Sequence, residues 1–285
     1  MSSGFRLRSA IGQAVAFEVS KGTLHMNQSA IPPTGGILSG IQVLVTRPRS
    51  QSGALVDRLT DLGASVLVQP AIHIAAPPDW SCVDAALDRL DQYDWIVFSS
   101  SNGVHYLLDR LRQKRGNMEK MKALRLAAIG PGTADELRRY GLQADLVPNE
   151  FRAETLAEAL VAQGPRNRFL LARASRGREV LAETLVSAGA AVDQVVVYSS
   201  SDVEVADAEV AFAMKAGRID WVTVSSSAIA RSLAGLFGED LRRAKLASIS
   251  PITSATLRQL GFEPAAEASS YTMDGLVDAI LEKLA

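Results

Sequence analysis

Short, continuously apolar runs alternate along the chain with longer segments whose apolar residues recur at helical spacing. This alternation marks strands buried on both faces of a parallel sheet, each followed by a helix packed against it. Gln42 to Thr46 predicts a strand, and Ala54, Leu55, Leu59 and Leu62 predict a helix that stops at Gly63. Val66 to Ile74 predicts the next strand, Val83, Leu87 and Leu90 a helix, and Trp95 to Phe98 another strand. Thr133 to Tyr140 predicts a helix ending at Gly141, with Thr133 and Glu136 at capping-box spacing. A counterpart runs from Thr253 to Leu260 and stops at Gly261.

The pattern occurs twice. Val43-Leu44-Val45-Thr46-Arg47, followed by Leu55, Leu59, Gly63 and Val66, returns as Phe169-Leu170-Leu171-Ala172-Arg173, followed by Leu181, Leu185, Gly189 and Val192, each pair 126 positions apart. The same offset carries Asp94-Trp95-Ile96-Val97-Phe98-Ser99-Ser100-Ser101 onto Asp220-Trp221-Val222-Thr223-Val224-Ser225-Ser226-Ser227. Beyond them the offset is 120, pairing Leu126 to Thr133 with Leu246 to Thr253, Gly141 with Gly261, and Leu156 with Leu276. Two copies of a unit of roughly 115 residues therefore fill the chain after Ile41. Ala75 to Asp79 and Ser199 to Val203 lack pattern and follow the second strand of each copy, which makes them hinge candidates. The first 36 residues appear in one copy only, lack periodicity and carry Pro32-Pro33 and Gly35-Gly36. They predict a disordered or loosely attached extension, with Met26 an alternative initiator.

Charge narrows the choice of ligand. Thirty Lys+Arg stand against 31 Asp+Glu in 285 residues, with no basic block, so nucleic acid and membrane surfaces are not expected partners. An anionic ligand must be met by local donors. No apolar run approaches the roughly 18 residues of a membrane span. Arg6 and Arg8 precede a weak apolar stretch, but Gln13 and Glu18 interrupt it and no small-residue cleavage site follows. The expectation is a soluble, cytoplasmic protein. Cys82 is the only thiol, and His25, His73 and His105 form no i, i+4 pair, so neither a disulfide nor a metal site is expected.

Ligands of open parallel sheets gather at the carboxyl ends of the strands. There the sequence places Thr46, then Ser99, Ser100, Ser101 and Asn102, then Gly130 to Thr133, Ser225, Ser226 and Ser227, and Ser250 to Thr253. Such residues present hydroxyls and backbone N–H groups at helix amino termini, where the dipole favours anions. One such loop alone is a helix cap. Four loops in duplicate point to a polar cleft. Arg47 and Arg173 occupy matched strand ends, with Arg49, Arg176 and Arg178 just beyond. They can clamp a carboxylate or phosphate, or pair with Asp57 or Glu179. Tyr198 closes the run Val195-Val196-Val197; it is either a packing residue or a weak acid beside the cleft. Gly130-Pro131-Gly132 has Asp135 where a dinucleotide fingerprint wants a third glycine, and no Gly-Lys-Ser/Thr phosphate loop exists. Ser99 to Ser101 lack a nucleophile elbow, and His105 reads as a surface or capping imidazole.

Val45-Thr46-Arg47-Pro48, the Phe98-Ser99-Ser100-Ser101-Asn102-Gly103-Val104 turn, the Ala128-Ile129-Gly130-Pro131-Gly132-Thr133 loop, Val197-Tyr198 and Ser269-Ser270-Tyr271-Thr272-Met273-Asp274-Gly275-Leu276 jointly resemble the uroporphyrinogen-III synthase family, from about Ile41 to Leu284. The resemblance implies an α/β protein of two flavodoxin-like parallel-sheet domains from an internal duplication, joined by a two-stranded hinge that the chain crosses twice. Residues 37–74 plus 203–285 would form one domain and 78–197 the other, with 75–77 and 198–202 as the hinge.

The resemblance also implies the chemistry. The linear tetrapyrrole hydroxymethylbilane would be cyclised to uroporphyrinogen III, with loss of water and inversion of the terminal pyrrole ring through a spiro intermediate. No cofactor or metal is implied, and the protein would be a monomer, with transfer of substrate from the preceding bilane-forming enzyme left open. Tyr198 matches the family's tyrosine proposed to help the hydroxyl leave. Thr133, Ser225, Ser227 and Thr253 match polar cleft positions, Ser99 to Asn102 match the serine/threonine turn, and Ser250 stands where the family often has glycine. Arg47, Arg173, Gly130 and Ser226 complete the expected substrate contacts. A reading from another class is a non-catalytic two-domain protein that closes on an anion or a tetrapyrrole as a regulator.

Overall fold

The computed structural model describes residues 35–114, 118–164 and 166–284. Its strands are β1 (Gln42–Val45), β2 (Ser65–Val68), β3 (Ile72–Ala75), β4 (Trp95–Phe98), β5 (Arg125–Ala128), β6 (Arg168–Ala174), β7 (Ala191–Asp202), β8 (Trp221–Val224), β9 (Lys245–Ser248) and β10 (Ala266–Glu267). They form two five-stranded sheets, ordered β10-β9-β8-β1-β2 and β3-β7-β6-β4-β5. Every pairing is parallel except that of β3 with the end of β7. Strands matched by the sequence offsets hold matching places: β1 with β6, β2 with the start of β7, β8 with β4, and β9 with β5. Each sheet therefore takes its first two of these strands from one copy and the others from the second copy.

The apolar runs form central strands because both their faces are covered. In β4, Ile96 and Phe98 pack into one cluster with Val104, Leu107 and Leu111. Trp95 and Val97 face the opposite cluster with Leu156, Leu160 and Leu185. The first sheet repeats this division, with Leu44 and Val222 on one side and Val43, Val45 and Trp221 on the other.

Four departures from the sequence pattern have local causes. Val66 to Ile74 is not one strand but two, β2 and β3, broken at Gln69-Pro70-Ala71. Gln69 N–H and Ala71 N–H donate to the Val45 and Thr46 carbonyls, but Pro70 has no N–H to continue the ladder, and the chain leaves for the other sheet. Ser199 to Asp202, expected to be irregular, is instead the end of β7, with Ile72 opposite Asp202 and Ala75 opposite Ser199. Thr133 is not a cap: the helix Pro131–Arg139 has Gly130 at its N-cap and Pro131 at its first position, where the missing N–H costs nothing. Glu136 pairs with Arg139 instead.

Finally, Gly36 belongs to the packed body. A Cβ there would lie 2.1 Å from the Leu62 carbonyl oxygen, and Leu38 N–H donates to that oxygen at 2.8 Å. The rest of the expected extension up to residue 34, including Met26, lies outside the described residues. No helix among the described residues is long and apolar enough to cross a membrane.

Candidate active site

Carboxyl ends of strands from both sheets open onto one cavity of about 620 Å³. Five helices present their first residues or N-caps to it: Ser101–Gln113, Pro131–Arg139, Ser227–Phe237, Pro251–Gln259 (through its N-cap Ser250) and Met273–Glu282. Four of them are capped alike, by a side-chain oxygen on extended backbone. Ser100 accepts from Gly103 N–H at 3.0 Å, Ser226 from Ile229 N–H at 3.2 Å, Ser250 from Thr253 N–H at 3.4 Å, and Thr272 from Gly275 N–H at 3.0 Å. A cap satisfies only part of a helix's first turn, so the remaining donors and the positive dipole ends face the cavity.

Of the residues expected from sequence, Arg47, Ser100, Ser101, Asn102, Gly130, Thr133, Tyr198, Ser225, Ser226 and Ser250 line the cavity. Ser99, Arg173, Ser227 and Thr253 do not. The Arg173 guanidinium is held by Glu179 and by Gln194 Oε1. Ser227 Oγ accepts from Thr256 Oγ1 at 2.8 Å. Thr253, 2% exposed, supports its loop from behind through its hydroxyl, 3.2 Å from Ser250 Oγ. Arg178 pairs with Glu154. His105 lies 3.0 Å from Tyr140 Oη, on the wall of an adjoining cavity of about 610 Å³ that shares Arg47, Gln51 and Asn102 with the first.

Tyr198 is 7% exposed, with its hydroxyl 3.1 Å from Ser100 Oγ and its ring stacked on Tyr106 at 5.8 Å. Burial pushes its pKa above the ordinary phenol value, and Tyr106 adds to that. Hydrogen bonds with Ser100 and Asn102 and the charge of Arg176 pull the other way. The net shift is upward, so the phenol keeps its proton at neutral pH and can donate it.

Among the described residues, two guanidinium groups reach the cavity. Arg47 donates to the Gln51 carbonyl at 3.3 Å, to Gln51 Oε1 at 3.2 Å and to Met273 Sδ at 3.3 Å. No carboxylate among the described residues lies within ion-pair distance of it, and burial lowers its pKa from the ordinary arginine value. Arg176 donates to Ser200 Oγ at 3.2 Å and to Asp202 at 2.8 Å, while its Nη2 is buried without a partner.

Contacts also bridge the two sheets across the cavity. Gln51 Nε2 donates to Asn102 Oδ1 at 2.7 Å, and Phe151 meets Tyr271 edge to face at 5.9 Å. Gln51, Phe151 and Tyr271 were not among the residues expected to form the site, whereas Arg176 was one of the arginines read as able to clamp an anion or to pair with a carboxylate. Phe151 and Tyr271 carry a usable signal, since they are repeat mates at the 120 offset and both aromatic. Gln51 has none; its mate is Gly177.

A family model described as uroporphyrinogen-III synthase HemD matches residues 53–278. The chain belongs to the uroporphyrinogen-III synthase family. It is thus an enzyme that cyclises hydroxymethylbilane in tetrapyrrole biosynthesis, and the regulatory-protein reading is not favoured. The uroporphyrinogen-III synthase of Synechococcus elongatus is 30% identical over 252 residues, covering 85% of this chain and 95% of that one. Among solved structures, a variant of the Thermus thermophilus uroporphyrinogen III synthase is similar with a TM-score of 0.64 at 18% identity, over 86% of this chain and 98% of that one. The Helicobacter pylori uroporphyrinogen-III synthetase follows at 0.59 and 16%, over 85% and 99%. At these identities the structures attest the α/β fold.

Proposed function

We propose that the cavity between the two sheets is where this synthase holds hydroxymethylbilane while its ends are joined, and that Tyr198 supplies the proton or hydrogen bond that helps the hydroxyl leave as water. Departure of the hydroxyl leaves an electron-poor azafulvene. The substituted carbon of the terminal ring attacks it to give a spiro intermediate, and rearrangement delivers the inverted, type III isomer. Unaided, the bilane closes to the uninverted isomer, so the protein's main contribution is a held geometry. Donors at the five helix termini, with Arg47 and Arg176, suit the substrate's carboxylates. That local supply accounts for polyanion binding by a chain whose net charge is −1.

Closure would come from two flavodoxin-like domains, 37–74 with 203–285 and 78–197, moving about residues 75–77 and 198–202. The pairing of β3 with β7 supports this reading, because both chain passages between the sheets run there. The enzyme is read as a cytoplasmic monomer working without a cofactor and receiving its substrate from the bilane-forming step.

The observation that carries the proposal is the buried Tyr198 hydroxyl, 3.1 Å from Ser100 Oγ, on the wall of a cavity ringed by helix amino termini. Purified protein incubated with hydroxymethylbilane should yield predominantly the type III product on chromatographic separation. An isomer ratio equal to that in buffer alone overturns the proposal.

A further inference from the structure

A chain of polar contacts crosses the cavity with only one allowed direction. The Arg47 guanidinium can only donate, so the Gln51 side-chain atom 3.2 Å from its Nη2 must be oxygen. Gln51 then turns its amide nitrogen outward, and the atom of Asn102 that receives it at 2.7 Å must also be oxygen. The remaining end of the Asn102 amide is its NH2 group. Gln51 follows β1 in one sheet and Asn102 follows β4 in the other, so the chain is complete only with the sheets together. The fold does not require it: the repeat mates of Gln51, Asn102 and Tyr198 are Gly177, Ala228 and Ile72, which cannot form such a chain.

We propose that Gln51 is a positioning residue for the reaction: held by Arg47 and reaching across the cleft, it fixes the Asn102 amide so that its N–H groups, and not its oxygen, face the Tyr198 hydroxyl. This deepens the reading of Tyr198 as the acid and rests on it. An N–H aimed at Tyr198 Oη makes that oxygen an acceptor, which leaves the phenol's proton free for the departing hydroxyl and stabilises the negative charge that develops on the oxygen. The other groups facing Tyr198 are the Ser100 hydroxyl, the Tyr106 ring and the Arg176 cation.

Gln51→Glu tests the chain, since a carboxylate can only accept. It forces Asn102 to turn its NH2 toward position 51 and its oxygen toward the phenol, which must then donate to it. In protein labelled with ¹³C at tyrosine Cζ, the Tyr198 resonance, assigned by its loss in Tyr198→Phe, should move downfield at neutral pH. Type III formation should lose about 10- to 100-fold in kcat, the worth of one hydrogen bond to a charged oxygen, with KM changed less than about threefold. In an Asn102→Ala background the same change at position 51 should leave the Tyr198 resonance in place, which separates amide direction from the added charge. Unmoved Tyr93 and Tyr140 resonances report an intact fold.

An unmoved Tyr198 resonance in Gln51→Glu, an equal movement with and without Asn102, or a kcat loss under threefold overturns the proposal. The resonance is read on free protein. A wild type that makes no type III isomer would overturn the proposed function and leave the amide direction to stand on its own.

Discussion

Tyr198→Phe removes one oxygen and leaves the rest of the side chain in place. The ring stacks on Tyr106 and packs in the second sheet's core with Val195 and Val197, contacts that phenylalanine keeps. Ser100 loses one partner but still caps its helix through Gly103 N–H. The stability cost should therefore be about 1 kcal/mol or less, the net worth of one hydrogen bond. Turnover should suffer far more. A positioned acid contributes about 10²- to 10⁴-fold, or roughly 3 to 5 kcal/mol of transition-state stabilisation.

The assay is the initial rate of type III formation, with spontaneous type I product in the same mixture as an internal clock. A loss under threefold at an unchanged isomer ratio refutes the assignment and moves the role to backbone donors. The wild type's pH profile is a second check. Burial raises the Tyr198 pKa above its ordinary value near 10, so the active, protonated form persists to at least that pH and a basic limb belonging to Tyr198 must lie above it. The sign for stability is the same. Above pH 10 the unfolded phenol ionises before the folded one, so this group's contribution to folding falls as pH rises through that window.

Arg176→Ala removes the buried, unpartnered Nη2 from the cavity wall and should raise KM for hydroxymethylbilane about tenfold with a smaller change in kcat, measured by steady-state kinetics. Gly36→Ala places a methyl group 2.1 Å from the Leu62 carbonyl oxygen and should lower stability by about 1–3 kcal/mol in urea unfolding; an unchanged midpoint would return Gly36 to a loose extension. Thr46→Val removes the hydroxyl that donates to the Thr223 carbonyl at a fully buried strand junction, with an expected cost of about 1 kcal/mol in the same measurement.

Strand β4 was legible because each residue from Trp95 to Phe98 is buried, which leaves an unbroken apolar run, and β8 was legible as its repeat mate, equally buried but with Thr223 in the run. The pairing of β3 with β7 was not, since Ser199, Ser200, Ser201 and Asp202 lie in an exposed or half-buried ribbon that imposes no alternation on its sequence. The helix termini of the site could be read because capping draws serine and threonine to those positions whether or not a ligand binds. Arginine showed the limit of register. Arg47 and Arg173 are repeat mates, yet Arg173 is occupied by Glu179 and Gln194, whereas the equivalent positions around Arg47 are Gly53 and Val68. Which of two matched arginines remains available to a ligand is decided by residues on neighbouring elements, and no single motif contains them.

The two copies divide the work in a way that follows from the substrate. Ser100 with Ser226, Gly130 with Ser250, and Phe151 with Tyr271 are matched pairs that all line the cavity, so its walls offer donors and aromatic edges with approximate two-fold regularity. A chain of four similar pyrroles bearing carboxylates along its length can be gripped by such repeated donors. Its two ends differ, however, and only one carries the hydroxyl that must leave. A symmetric site could not tell them apart. The regularity fails where discrimination is required: Tyr198, Asn102 and Gln51 each occur in one copy only, their repeat mates being Ile72, Ala228 and Gly177. On this view the repeated elements bind, the unrepeated ones select the end that reacts, and a substitution in either class should show itself accordingly in KM or in kcat.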